Sequence, residues 1–256
     1  MQSHIDEKHV APYSVLATVY DQMMNHVNYP QWGRYLLRVI QKTGIAIGRI
    51  LDIGCGTGRM VEALHEQGYA IDGCDPSVSM IRMGQRRQPQ LHFYQDALPH
   101  LPHTPAGKYN VMLSLFDTMN YLPDINTLRV ALHTIYHKLA TPGILVFDVV
   151  SPRMCETHFN QVVEKEVLND KFAYERYSYF DRRTLTQTNE IKLFTPDGIF
   201  VETHVQHIFP FHEIMELIRT SSPFRLFNAY EEFTFHPLND NSLRGHFVLV
   251  KGLGDD

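Results

Sequence analysis

A chain of 256 residues can form one large domain, or one domain with an elaboration. Its formal net charge of −5 excludes an overall basic field that would draw nucleic acid, and short basic clusters such as Arg82, Arg86 and Arg87 or Arg182 and Arg183 read as solvated surface. Three cysteines without Cys-x-x-Cys spacing (Cys55, Cys74, Cys155) suggest neither a disulfide framework nor a zinc site.

Alternating strand and helix is predicted first. Arg49 to Ile53 reads as a strand and Met60 to Gln67 as the helix after it. Tyr69 to Cys74 reads as a second strand, and Val78 to Gln88 as a helix that Ser77 is suited to cap and Pro89 closes. Leu91 to Tyr94 and Asn110 to Phe116 are further predicted strands. Asp124 to Leu139 has helical apolar spacing at Leu128, Leu132, Ile135 and Leu139, with Pro142-Gly143 as its stop before an apolar strand from Ile144 to Val150. Uninterrupted apolar strands between amphipathic helices imply a mostly parallel sheet covered on both faces.

From Val162 to Phe209 the pattern alternates instead. Phe172, Tyr174, Arg176 and Ser178 fall on one face, and Ala173, Glu175, Tyr177 and Tyr179 on the other. With turn chemistry at Asp181-Arg182-Arg183 and Thr195-Pro196-Asp197-Gly198, three or four antiparallel strands are expected. A helix from Phe211 to Thr220 and strands at Arg225 to Phe235 and His246 to Lys251 complete the reading. No run reaches the roughly 18 apolar residues of a membrane helix. The first eight residues lack a signal-like apolar core, so a cytoplasmic protein without a membrane partner is expected.

The sharpest local signal is Leu51-Asp52-Ile53-Gly54-Cys55-Gly56-Thr57-Gly58-Arg59. A strand, a glycine-rich turn and a helix start bring a nucleotide-like ligand against bare backbone. A dinucleotide fingerprint would need glycine where Arg59 stands. Gly-x-Gly-x-Gly after an acidic strand end instead closely resembles the class I, Rossmann-like S-adenosylmethionine-dependent methyltransferases. About twenty residues on, Asp75 in Asp72-Gly73-Cys74-Asp75-Pro76-Ser77 is well placed to accept both ribose hydroxyls. Leu115-Phe116-Asp117-Thr118-Met119-Asn120-Tyr121 resembles the strand-four motif of small-molecule enzymes such as the glycine and sugar N-methyltransferases. Tyr13 to Asp21, followed by Tyr29-Pro30-Gln31-Trp32, is similar to their cofactor-capping helices.

The resemblance implies a doubly wound, seven-stranded, mostly parallel sheet with helices on both faces. An antiparallel lid over residues 162–209 would lie between the fifth strand and the last helix, and capping helices would occupy residues 1–40. Residues 1–161 and 210–256 would form the domain that holds S-adenosylmethionine and its product S-adenosylhomocysteine. Implied cofactor contacts are Tyr20, Asp52, Gly54, Cys55, Gly56, Gly58, Asp75, Pro76, Met80, Asp96, Ala97, Leu115 and Tyr121. Asp96 would face the adenine amino group, with Ala97 against the ring. Asp117 and Tyr121 are the implied catalytic pair. Tyr13, Trp32, Asp117, Tyr177 and Tyr179 would meet the acceptor. In some relatives an arginine ahead of the Tyr-x-x-Trp binds the methionyl carboxylate; here Asn25 or His26 stands there, which leaves that contact open.

Methyl transfer needs a lone pair held about 3 Å from an already activated methyl carbon. A base is required only for a protonated acceptor, and Asp117, Tyr121 or a lid histidine could serve. Among the fifteen histidines, His133 and His137 share a helix face without a third ligand, and His204 and His207 lie on opposite faces of their strand, so no metal is expected. A small acceptor methylated on nitrogen or oxygen is the leading expectation, with an RNA or protein acceptor, or a cofactor-binding protein without transfer, as alternatives. The Asn/Asp-Pro-Pro-Tyr/Phe motif of amino-methylating DNA and protein enzymes is absent; Phe116-Asp117-Thr118-Met119 stands there. Oligomeric state and the acceptor's chemical class are open at this stage.

Overall fold

In the computed structural model, which describes residues 7–252, strand and helix alternate through the first half of the chain. The elements are β1 (Glu7–Val10), α1 (Tyr20–Met23), α2 (Tyr29–Gln41), β2 (Arg49–Ile53), α3 (Arg59–Glu66), β3 (Ala70–Asp75), α4 (Val78–Arg87) and β4 (Phe93–Gln95). Next come β5 (Tyr109–Ser114), α5 (Ile125–Lys138), β6 (Leu139–Val150) and a short α6 (Pro152–Met154). The chain continues through β7 (Val162–Asn169), β8 (Phe172–Asp181), β9 (Thr186–Thr195) and β10 (Gly198–His207), then α7 (Phe211–Ser221), β11 (Arg225–Glu231) and β12 (Arg244–Lys251). Local chemistry sets the helix starts. Ser77 Oγ accepts from the Met80 N–H at the head of α4, and Asp124 Oδ1 from the Thr127 N–H at the head of α5.

Seven strands form one sheet in the order β11-β12-β6-β5-β2-β3-β4. The run from β4 to β6 is parallel, while β12 lies antiparallel to both β6 and β11. Successive residues of a strand point to opposite faces, and both faces are buried. Ile50, Ile144 and Val146 join the α2 and α3 residues Leu36, Ile40, Val61 and Leu64. Leu51, Leu145 and Phe147 join Leu128, Leu132 and Ile135 of α5 and Ile214 and Ile218 of α7. That double burial is why these strands read as continuous apolar runs. From β2 the chain winds outward to β3 and β4, then crosses to β5 on the other side of β2. This reversal opens a crevice beyond the carboxyl ends of β2 and β5.

A second sheet has the order β1-β10-β9-β8-β7. Its last four strands are the antiparallel run that alternation predicted, paired successively from β7 to β10. The N-terminal segment departs from expectation. Capping helices were expected over residues 1–40; α1 and α2 do fall there, but β1 adds to this sheet parallel to β10, with Glu7 opposite Ile199 and Val10 opposite Glu202. Residues 1–6 of that range lie outside the described residues. A lone four-residue strand has no local signal, because its pairing partner is supplied almost two hundred residues later. Two bounds move by more than two residues. β6 begins at Leu139, directly after α5, and β11 ends at Glu231, where the chain folds back so that the Glu231 N–H donates to His236 O at 3.0 Å.

Candidate active site

The glycine turn forms the floor of a cavity of about 560 Å³ at the crevice. Backbone N–H groups of Gly54 and Gly56 are held from β3: Gly54 donates to Cys74 O at 2.8 Å, and Gly56 to Asp75 Oδ2 at 2.9 Å. Gly56 has φ +55°, and a Cβ there would point into open space, with only Tyr20 within reach at 3.9 Å. A ligand can therefore lie directly against this backbone. Gly58 serves a different purpose. Its φ is +80° and a Cβ would strike the Phe93 ring at 2.5 Å, so glycine is required where α3 begins against β4.

Two buried carboxylates face this cavity. Asp75 accepts from the N–H groups of Gly56 and Ser77; burial pushes it up to about 6 against the pull of those two donors. Asp52 is pushed up to about 8 by burial and by the neighbouring charges of Asp75 and Asp148. Gly54, Cys55, Pro76, Met80, Leu115, Tyr20 and Tyr121, expected as cofactor contacts, line the same cavity, and so does Tyr13, which was expected to meet the acceptor. Tyr29, Arg59, Phe116 and Thr118 line it too, and were not anticipated.

The segment from Ala11 to Ser14 forms one wall of the cavity, and Glu202 of β10 ties that segment down. This buried carboxylate accepts from the N–H groups of Tyr13 at 2.6 Å, Val15 at 2.8 Å and Leu16 at 2.9 Å. Burial pushes Glu202 up, but the His204 hydrogen bond and these backbone donors outweigh it and leave it below the usual carboxylate range. His204 Nε2 lies 3.2 Å from Glu202 Oε2, and its Nδ1 lies 3.1 Å from the Tyr121 hydroxyl. Tyr121 in turn meets the Tyr13 hydroxyl at 2.7 Å. His204 thus joins Tyr13, Tyr121 and Glu202 in one continuous hydrogen-bonded chain, with Nε2–H donating to the Glu202 carboxylate.

Tyr13, Tyr20, Phe116 and Tyr121 also line a second cavity, of about 440 Å³, between the two sheets. Phe116 and Asp117 both have positive φ, 55° and 62°, an uncommon conformation outside glycine. Phe116 borders both cavities, whereas Asp117 borders only the second. There Asp117 pairs with Arg244 of β12, which also meets the buried Asp148. The far wall carries Tyr174, Arg176, Gln187, Asn189 and His204.

Several expected contacts are placed elsewhere. Asp96 is buried but committed to its own loop, accepting from Ala97 N–H, His103 N–H and the Thr104 hydroxyl; neither it nor Ala97 lines either cavity. Gly58 lies outside the lining for the packing reason above. Trp32 is a core residue packed edge-on against Phe116 at 3.8 Å, which screens it from both cavities. Tyr177 and Tyr179 are 47% and 41% exposed on the outer face of β8, and the Tyr174–Arg176 face points inward instead. Asn25 and His26 line the second cavity, not the first. Among the described residues no cluster of His, Cys, Asp and Glu is arranged to hold a metal, and no helix is long and apolar enough to cross a membrane.

Comparison with known proteins agrees with this geometry. Residues 24–190 match a family described as a methyltransferase domain. The protein YqeM of Bacillus subtilis (strain 168) is 28% identical over 231 residues, spanning 87% of this chain and 90% of that one. An S-adenosylmethionine-dependent methyltransferase from Clostridium acetobutylicum superposes with a TM-score of 0.78 at 16% identity, over 93% of this chain and 98% of its own. The sugar N-methyltransferase KedS8 from Streptoalloteichus superposes with a TM-score of 0.72 at 18% identity, over 91% and 93%. The cavity fits the cofactor: it pairs bare glycine backbone with buried carboxylates able to meet a diol and an ammonium. A family match over most of the chain, on this fold, places the protein in the methyltransferase-domain family, among the class I enzymes that use S-adenosylmethionine.

Proposed function

We propose that the chain transfers the methyl group of S-adenosylmethionine to a nitrogen or oxygen of a small molecule held in the second cavity. The carrying observation is the wall of Tyr13, Tyr20, Phe116 and Tyr121 that the two cavities share. A sulfonium in the first cavity then faces an acceptor in the second. The acceptor lone pair attacks the methyl carbon, the carbon–sulfur bond breaks, and its electron pair stays on sulfur as the neutral thioether. When the attacking atom carries a proton, the Tyr121–His204 pair is within reach to take it, and Glu202 stabilises the imidazolium that forms.

Asp75 holds the ribose diol in this reading, and Asp52 the methionyl ammonium. Asp117 with Arg244 orients the polar part of the acceptor. The sheet from residue 162 to residue 207 governs the acceptor, and the larger α/β unit the cofactor. They are not independent, because Glu202 anchors the segment that walls the cofactor cavity. Sidedness favours a small acceptor: the second cavity is a walled space between sheets, and the net charge of −5 offers no field for a polyanion. The test supplies labelled S-adenosylmethionine with three separate pools: low-mass metabolites, total RNA and total protein. Label should pass to the low-mass pool; label in RNA or protein alone would refute this acceptor class.

A further inference from the structure

Three formally charged side chains line the first cavity: Asp52, Asp75 and Arg59. With both carboxyls ionised, which a ligand ammonium beside Asp52 favours, the three sum to −1, opposite to the +1 of a ligand bearing a sulfonium, an ammonium and a carboxylate. Asp75 is engaged with Gly56 and Ser77 at the β3 side, which leaves Asp52 and Arg59 to meet a zwitterion.

Arg59 is positioned for that part. It is the first residue of α3, and its guanidinium sits over the Tyr29 ring at 5.6 Å. Tyr29 also marks how near Arg59 and Asp52 lie: its hydroxyl is pushed up to about 12 by burial, with Arg59 pulling it down and Asp52 pushing it further up. Other arginines near the site are committed. Arg87 bridges Asp21 and donates to Thr57 O at 2.9 Å, and Arg244 is locked among acidic groups. Arg59 has only a 3.4 Å contact with Glu62 on its own helix, and its side chain is 43% exposed, so a ligand carboxylate can displace that partner at small cost. Gly58, which caps α3, brings no side chain to compete for an anion at the helix start.

We infer that Arg59 binds the α-carboxylate of the cofactor's methionyl end, opposite Asp52 on the α-ammonium. The inference rests on the cofactor reading above. It assigns the carboxylate contact to the glycine-loop helix and away from the segment containing Asn25 and His26, which lines the other cavity.

Calorimetry with three thioethers tests it on the intact chain. S-adenosylhomocysteine carries both methionyl charges, its decarboxylated 3-aminopropyl analogue keeps only the amine, and 5′-methylthioadenosine has neither. Arg59→Met should weaken S-adenosylhomocysteine about tenfold or more, the scale of one charge-assisted pair, and leave the other two within about twofold. Arg59→Lys should recover part of the loss, since a point charge lacks the planar fork. Unchanged S-adenosylhomocysteine affinity in Arg59→Met would overturn the inference and hand the carboxylate to backbone N–H groups at the start of α3. Equal weakening of all three thioethers would also overturn it. Failure of the wild-type chain to bind any of them would instead refute the cofactor reading itself.

Discussion

Replacing Asp75 by asparagine tests the ribose contact without changing side-chain size. In the free protein both carboxylate oxygens already accept a backbone N–H, at 2.9 Å from Gly56 and 2.8 Å from Ser77. Each has a lone pair left for a ribose hydroxyl. Asparagine keeps one acceptor oxygen and loses the charge, so at least one charge-assisted hydrogen bond of roughly 1.5–3 kcal/mol disappears, about ten- to hundredfold in affinity. A pH dependence accompanies it. With Asp75 pushed up to about 6, a diol that requires the carboxylate should bind about tenfold more weakly at pH 5 than at pH 7. Stability of the free protein has the opposite sign. A carboxyl raised above its unfolded value contributes stability that is complete below about pH 4 and is lost as pH rises through about 6. Calorimetry with 5′-methylthioadenosine isolates the ribose end, because that ligand lacks the groups assigned to Asp52 and Arg59. Wild-type affinity should rise between pH 5 and pH 7, and the Asp75→Asn curve should be weak and flat. Equal affinities at pH 7, or a pH dependence that survives the substitution, would refute the assignment.

Gly58→Ala forces a side chain into a φ of +80° and against Phe93, which should cost roughly 2–4 kcal/mol in urea unfolding; a loss below 1 kcal/mol would contradict the packing role. Glu202→Gln should expose the Val15 and Leu16 amides to faster hydrogen exchange and weaken S-adenosylhomocysteine, because the segment they belong to walls the cofactor cavity. Since Glu202 sits below the usual carboxylate range, the wild-type protection should be present above about pH 4.5 and fall away at lower pH, while the Glu202→Gln protein should lack that acid dependence. Tyr177→Ala and Tyr179→Ala should each change stability by less than about 1 kcal/mol and leave thioether binding intact; a larger loss would place that face of β8 in contact with the site.

The cofactor end was legible because its chemistry is local. Asp52, the glycine turn and Asp75 lie within two consecutive strand–turn units, and the structure gathers them around one cavity. Where contacts are long-range, the sequence was silent or misleading. Alternation along β8 revealed two faces, but both carry aromatic and charged residues, and burial is decided by the N-terminal segment, whose Leu16 and Val19 pack with Tyr174 on one of them. Trp32 sits in a motif that suggests a ligand, yet Phe116, turned by its left-handed backbone, fills the space in front of it. Asp96 follows its strand as expected, but the loop to Thr104 folds back and consumes its carboxylate. Glu202 and His204, two apart on a strand, share a face and could have been paired from sequence; their partners Tyr13 and Tyr121 come from distant parts of the chain and carry no local sign of it. Arg244 reaches Asp117 only because β12 inserts beside β6.

A structure of the S-adenosylhomocysteine complex addresses the central claim most directly. The ribose hydroxyls should rest on Asp75, and the sulfur should sit at the wall shared by Tyr13, Tyr20, Phe116 and Tyr121, with the vacant methyl direction aimed into the second cavity. A thioether bound with its sulfur turned away from that cavity, or outside the glycine turn altogether, would contradict the account.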